Sequence, residues 1–343
     1  LITLLSSVFV FAILILFHEL GHFLIAKKVG IRVHEFSLGF GPMLIRRQVG
    51  ETAYSLRLFP LGGFVRMAGM ESGDQEDERG FNRKPVWQRM GVIFAGPVMN
   101  FVLALLLFVF TFTVIGIPSP SNSNLIGGGL KDQPAARAGL KAGDRVVGVD
   151  GKPVSNWNDM ADAIHANAGR AIKIAVLRDG RRLTLPVTPV YDSEQKKAMI
   201  GIKQVLVFER QTLAASVKLG VAEAVGLTVL VIKGLVMMVT GAVSSSDVAG
   251  PVGIMGMIGE AARGGLAYLL NFAAILSINL GLINLLPIPA LDGSRLVFLG
   301  LEKLRGRPVE QEKENFIHLV GFALLMLLIL VITYNDILRI VVG

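Results

Sequence analysis

Cysteine is absent from this chain. That excludes disulfides and thiolate chemistry, and it means that any bound metal must be held by histidine and carboxylate. Charge is scarce as well. Asp, Glu, Lys and Arg make up 17% of the 343 residues, against 52% hydrophobic residues. An ordinary soluble domain carries about 25% charged residues, so a membrane protein is expected, in keeping with a mean hydropathy of +0.59. Histidine is reduced to five residues, which makes their spacing informative. Long-period repeats and low-complexity tracts are also lacking.

Four apolar runs are long enough to span a bilayer, which takes about 20 helical residues. They are Leu1 to Ala26, Gly91 to Ile117, Leu266 to Leu286 and Phe316 to Thr333. Leu1 to Phe17 has the look of a signal-peptide core. The apolar pattern nevertheless runs on to Ala26 with no small-residue cleavage site, so it reads as a spanning helix. A fifth run, Ala214 to Val243, is interrupted by Lys218, Glu223 and Lys233. Charge at mid-bilayer is costly, so the composition leaves open whether this run crosses or lies on the membrane; an interfacial helix within a segment 205–265 is the expectation.

The net charge is +8, but the basic residues cluster beside the apolar runs. That pattern speaks for membrane topology and against nucleic acid as a partner. The connection after the first run carries Lys27, Lys28, Arg32, Arg46, Arg47, Arg57 and Arg66, and the last connection carries Lys303, Arg305, Arg307 and Lys313. Both are expected on the cytoplasmic side, with residues 118 to about 210 outside.

Between the first two spans, residues 29–90 have strand character. Glu51 to Phe59 and Phe64 to Met67, separated by Pro60 and Gly62–Gly63, read as a hairpin with an available edge. Glu71 to Glu78 reads as a solvated acidic loop. Outside, Asp144 to Val149, a helix over 158–167, and two strands over 172–187 joined by Asp179–Gly180 form a soluble α+β module.

The chemistry is carried by His18-Glu19-Leu20-Gly21-His22. Two histidines four apart share one face of a helix, so both imidazoles can reach one ion. Zinc accepts nitrogen and oxygen ligands and, in catalytic sites, keeps one position for water. Glu19, beside the first ligand, is placed to take that water's proton. At about 1.5 Å per residue, His22 lies roughly 8 Å and His18 roughly 14 Å from Lys27 along the axis. Ionisable groups at that depth of an apolar helix are costly unless they bind something.

A third ligand is required, and Asp292 is the candidate. It follows Pro287 and Pro289, which break the helix where a backbone could aim a carboxylate. The alternative is that Asp292 caps a helix from Ser294 to Leu304. His34, His165 and His318 have no partner at metal spacing and read as surface or packing residues.

These segments together resemble the site-2 proteases, and most closely the bacterial regulator-of-sigma-E branch. The resemblance rests on HELGH, FSLGFGP (Phe36 to Pro42), LGGFVRM (Leu61 to Met67), FAGPVMNF (Phe94 to Phe101) and SINLGLINLLPIPALDG (Ser277 to Gly293). PAARAGLKAGDRVVGVDGKPV, from Pro134 to Val154, resembles a PDZ domain, placed at 122–191.

The resemblance implies a multi-pass α-helical protein of the bacterial inner (cytoplasmic) membrane. It would have about four transmembrane helices (1–28, 91–117, 266–304 with the LDG motif, and 316–338), a membrane-associated β region and one PDZ domain. It implies an intramembrane endopeptidase with Zn²⁺ held by His18, His22 and Asp292, and Glu19 catalytic. Single-span membrane proteins, such as anti-sigma factors or remnant signal peptides, would be the substrates. Asn284 would touch substrate backbone, with a helix–helix hydrogen bond as its alternative role. The strand Gly63, Phe64, Val65, Arg66 and Met67 would pair with an unwound substrate. Gly96 and Asn100 are expected to serve close helix packing. A peptide contact at the PDZ module is a further expectation. Two features depart from the branch: Ser294 stands where a second glycine is usual, and a single PDZ-like unit stands where some relatives carry two. A non-catalytic scaffold and a metal transporter are the competing classes.

Overall fold

The computed structural model describes residues 1–70, 77–193, 195–241 and 249–342. Most of the expected acidic loop, residues 71–76, lies outside them, as do residues 242–248 of the expected interfacial segment. In chain order the elements are α1 (Ile2–Lys28), β1 (Val33–Val49), β2 (Thr52–Met67) and α2 (Val86–Phe110, continued by a π-turn over Thr111–Ile115). There follow β3 (Ile117–Pro120), β4 (Ile126–Gly129), α3 (Pro134–Arg137), β5 (Arg145–Val149), β6 (Lys152–Pro153), α4 (Trp157–His165), β7 (Ile172–Arg178) and β8 (Arg181–Val187). Next come β9 (Val190–Asp192), β10 (Lys197–Met199), β11 (Ile202–Gln204) and β12 (Leu206–Glu209). The chain ends with α5 (Leu213–Val239), α6 (Pro251–Gly264), α7 (Leu266–Leu285), α8 (Asp292–Arg305) and α9 (Gln311–Val342). Two compact units result, one from residues 1–114 and 212–343 and the other from residues 115–211.

Among the described residues of the first unit, five helices are long and apolar enough to cross a membrane: the four expected and Leu213–Met238. That fifth stretch is as apolar as its neighbours, although Lys218, Glu223 and Lys233 lie on it. The next helix, α6, sits at the end of the bundle away from Lys27 and Lys28. The backbone N–H groups of Gly250 and Gly253 donate to Asp336 of α9, at 3.1 and 2.8 Å, and Arg263 reaches Thr3 at the start of α1. From there α7 runs back through the bundle and delivers Asp292 to the half of α1 that carries the histidines.

The β region departs from the expected hairpin. Thr52 to Leu56 and Gly63 to Met67 belong to one bent strand, and they pair with opposite sides of the same stretch of β1. Phe36 stands opposite both Tyr54 and Val65, and Leu38 opposite both Leu56 and Gly63. The turn lies instead at Gly50–Glu51, between Val49 and Thr52, with Gly50 at φ +60°, a conformation that glycine adopts at no steric cost. Gly39, Gly41 and Pro42 inside β1 obscure its strand pattern in the sequence. Residues 63–67 form the outer edge of the single sheet that these bent strands make, with no strand on their far side among the described residues. Ala26, Ile31, Val33, Met67 and Val92 form the buried cluster that fixes this sheet against α1 and α2.

The second unit is an α+β module. Its four-stranded sheet has the order β6-β5-β7-β8, and its core joins Ile126, Val146, Met160, Ile164, Ile172, Ile174, Val176 and Ile200. Amphipathic α4 supplies Met160 and Ile164, and its N-cap Asn156 accepts the Asp159 N–H at 2.9 Å.

Candidate metal centre

His18 and His22 lie one turn apart on α1, with their rings edge to face and 4.8 Å between centroids. Asp292 reaches them from the first turn of α8. Its Oδ2 is 3.1 Å from His18 Nε2 and 3.3 Å from His22 Nε2, and the two Nε2 atoms are 3.3 Å apart. With metal–ligand bonds of about 2.0–2.1 Å, the edges of a tetrahedral face measure about 3.3 Å. The three atoms therefore already have the separations of one face of a tetrahedron around a single ion.

The protons support the same reading. His22 Nδ1 is 2.9 Å from the carbonyl oxygen of Val92, which can only accept. Nδ1 therefore carries the proton, and Nε2 presents a lone pair to the site. Asp292 Oδ2 is buried and receives no hydrogen bond. Lone pairs facing one another in a buried site repel unless a cation lies between them, so these residues fit a metal. His18, His22 and Asp292 are the group of this kind found among the described residues.

The capping alternative for Asp292 is not realised. Leu291 is the N-cap of α8, and no side chain caps the helix. Ser294 replaces the usual glycine without disturbance, because its hydroxyl donates to the Leu291 carbonyl at 2.7 Å. Gly293 is constrained far more tightly, since a Cβ there would lie 2.2 Å from the Leu286 carbonyl oxygen.

The triad opens into a cavity of about 360 Å³ lined by Glu19, Gly63, Phe64, Val65, Met67, Asn284 and Arg295, among others. A Cβ built on Gly63 would lie 3.1 Å from Glu19 Cγ, so the outer edge of the sheet passes directly beside that side chain. Arg66 is exposed and does not line the cavity. Of the residues picked out in the sequence, His18, Glu19, His22, Asp292, Asn284, Gly63, Phe64, Val65 and Met67 are thus brought together.

The chain matches peptidase family M50 over residues 6–328. The chain belongs to that family. Regulator of sigma-W protease RasP of Bacillus subtilis is 35% identical, with 98% of each chain covered. Zinc metalloprotease RasP of Geobacillus kaustophilus is 34% identical, over 98% of this chain and 97% of its own. Among solved structures, the PDZ domain of an SdrC-like protein of Listeria monocytogenes covers 26% of this chain and 94% of its own. It is 22% identical, with a TM-score of 0.23. Membership of the M50 family, together with an assembled His–His–Asp triad, makes this chain a membrane metalloprotease and sets aside the scaffold and transporter readings.

Three residues matter more to the M50 site than their sequence context conveyed. Gly96 was expected to serve helix packing, yet its missing side chain is what makes room for the imidazoles: a Cβ would lie 2.3 Å from His22 Nε2 and 3.0 Å from His18 Cε1. Asn100, one turn further along α2, is fully buried, and its amide lies 3.2 Å from His18 Nδ1. The spacing of Val92, Gly96 and Asn100 on one stripe of α2 was the available signal. His318, expected to be an ordinary packing residue, accepts the backbone N–H of Ala290 at 3.1 Å. Nothing in its sequence neighbourhood signals that contact.

Proposed function

We propose that this protein is a zinc endopeptidase of the cytoplasmic membrane that cuts single-span membrane proteins within or beside the bilayer. His18, His22 and Asp292 would hold Zn²⁺, and the mutual separations of their three ligating atoms, 3.1 to 3.3 Å, carry this reading. Bound zinc would supply Lewis acidity, polarising the scissile carbonyl and acidifying a water molecule.

The protein's own groups would do the rest. Glu19 would take the proton released by the attacking water and return it to the leaving amide nitrogen, so that the peptide bond breaks with one water consumed. Its place in the cavity between the triad and the sheet edge supports that role. Residues 63–67 would receive the substrate as an added strand. A helical peptide bond is shielded by its own backbone, whereas main-chain pairing holds the scissile segment extended. The pairing would use the backbone of Arg66, with its side chain left outside. Asn284, lining the same cavity, would donate its amide to a substrate carbonyl. The basic residues beside α1 and before α9 support a topology in which the β region would face the cytoplasm and residues 115–211 the outside. On that side the PDZ-like module would meet the outer part of a substrate already trimmed, with anti-sigma factors and remnant signal peptides as the candidate classes.

The test is cleavage of a purified single-span substrate by purified protein. Glu19→Gln should lose at least about a hundredfold in rate while still containing zinc. Full cleavage by that variant would remove Glu19 from its role, and absence of zinc from the wild type would remove the metal reading.

A further inference from the structure

We propose that Asn100 is a positioning residue that fixes the proton of His18, holding Nδ1–H through its side-chain oxygen so that Nε2 faces the metal as a lone pair. The inference deepens the zinc reading and rests on it.

It begins from a mismatch. Asn100 is fully buried. In the structure its amide nitrogen lies 3.2 Å from His18 Nδ1, and its amide oxygen is buried with no donor. Taken literally, the amide donates to Nδ1, and His18 must then carry its proton on Nε2. That proton would point at His22 Nε2 and Asp292 Oδ2, 3.3 and 3.1 Å away, and would occupy the position the metal needs.

The nitrogen and oxygen of an amide are assigned from the hydrogen-bond network and not from shape. Turning the Asn100 amide over puts oxygen 3.2 Å from Nδ1, where it accepts the Nδ1–H. The exchange merely swaps which amide atom lacks a partner, so the choice falls to the imidazole, and only the turned form leaves Nε2 free to ligate. His22 already follows that pattern, with Nδ1 held by the Val92 carbonyl. Both imidazoles are then oriented from α2, at positions 92 and 100, with Gly96 between them on the same stripe. Asn100 is itself held in place: its backbone carbonyl accepts the Ser277 hydroxyl of α7 at 2.8 Å. A residue that fixes a ligand's tautomer in this way is worth about ten- to a hundredfold in metal affinity.

The experiment has two readouts on the full-length protein, neither of which is cleavage. Nitrogen-15 NMR of histidine-labelled, metal-free wild type should show the His18 ring, assigned by its loss in His18→Gln, protonated at Nδ1. Equilibrium competition with a chelator should give Asn100→Leu a zinc affinity about ten- to a hundredfold below wild type. Asn100→Asp, which keeps an acceptor at the same place, should stay within a few fold. A His18 ring protonated mainly at Nε2 in wild type overturns the proposal, and so does an Asn100→Leu protein that binds zinc within twofold of wild type. If Asn100→Leu does not fold, the wild-type spectrum still decides. A wild type that takes up no zinc would instead overturn the reading on which this one rests.

Discussion

A Cβ built on Gly96 would lie 2.3 Å from Nε2 of His22. No rotation of the imidazole relieves that contact without breaking its bond to Val92, so α2 can approach the histidine face of α1 only with glycine at this position. Gly21 answers it from α1, where a Cβ would lie 2.2 Å from the Ala95 carbonyl oxygen. Gly96→Ala is expected to abolish bound metal and cleavage. Metal content of the purified variant checks this, with circular dichroism confirming that the helices persist.

Removal of the carboxylate should act differently from removal of space. Asp292→Ala keeps both imidazoles, so residual two-ligand binding is expected, with zinc affinity reduced at least about a hundredfold and cleavage lost. Chelator treatment of wild type should produce the same inactivity, reversed by added zinc, whereas zinc should not rescue Asp292→Ala at matched concentration. Zinc binding unaffected by Asp292→Ala would exclude this residue as the third ligand.

The metal site was legible in the sequence because each part of it is local: a helix period brings His18 and His22 together, and two prolines mark the bend before Asp292. The β region was legible in kind but not in pairing. Pro60 and Gly62–Gly63 looked like a turn, but they bend a continuous strand, while Gly39, Gly41 and Pro42 hid the strand between its two halves. The role of Gly96 was signalled only by its stripe with Val92 and Asn100 on α2, and that of His318 by nothing local. Both exist because segments far apart in the chain, 74 and 28 residues from their partners, come into contact.

His318 gives the third expectation. Ala290 adopts φ +78°, a conformation costing about 1–2 kcal/mol for a residue with a side chain, and its N–H is held by His318 Nδ1. Asp292 follows two residues later. His318→Leu leaves that N–H without its acceptor, at a cost of about 1–3 kcal/mol, and should loosen the loop that presents the carboxylate. A lower melting temperature together with weaker zinc binding is expected. Ala290→Gly should relieve the backbone cost and melt no lower than wild type. Equal zinc affinity in His318→Leu and wild type would mean that the loop holds its shape unaided.

The fourth concerns the link between α2 and α8. Arg89 forms a two-pronged ion pair with Glu302, at 3.0 and 2.5 Å, with side chains 12% and 14% exposed. Loss of one partner of a buried pair costs about 3–5 kcal/mol, because the other charge stays behind. Glu302→Gln should therefore destabilise the protein more than the double replacement Arg89→Met, Glu302→Leu, which strands no charge. Denaturation midpoints of the two variants check the order. The reverse order would mean that the pair is hydrated and contributes little.

The last concerns acid. In the PDZ-like unit, Asp144 is 1% exposed and accepts two bonds from Arg178, at 2.6 and 2.7 Å, and one from the Lys141 N–H at 2.9 Å. Burial raises its pKa, but the Arg178 guanidinium and the Lys141 N–H outweigh burial and hold it below the ordinary value. A carboxyl with a depressed folded pKa binds its proton more readily when unfolded. Its stabilising effect is therefore complete above the unfolded value, about 3.9, and is lost as pH falls through the lower folded value. The melting temperature of residues 115–211 should accordingly be flat in this group above about pH 5 and fall below about pH 4. In Asp144→Asn the unit should melt lower at neutral pH and lose that part of its acid sensitivity. Parallel melting curves for variant and wild type from neutral pH to below pH 4 would mean that Asp144 ionises alike in the folded and unfolded chain.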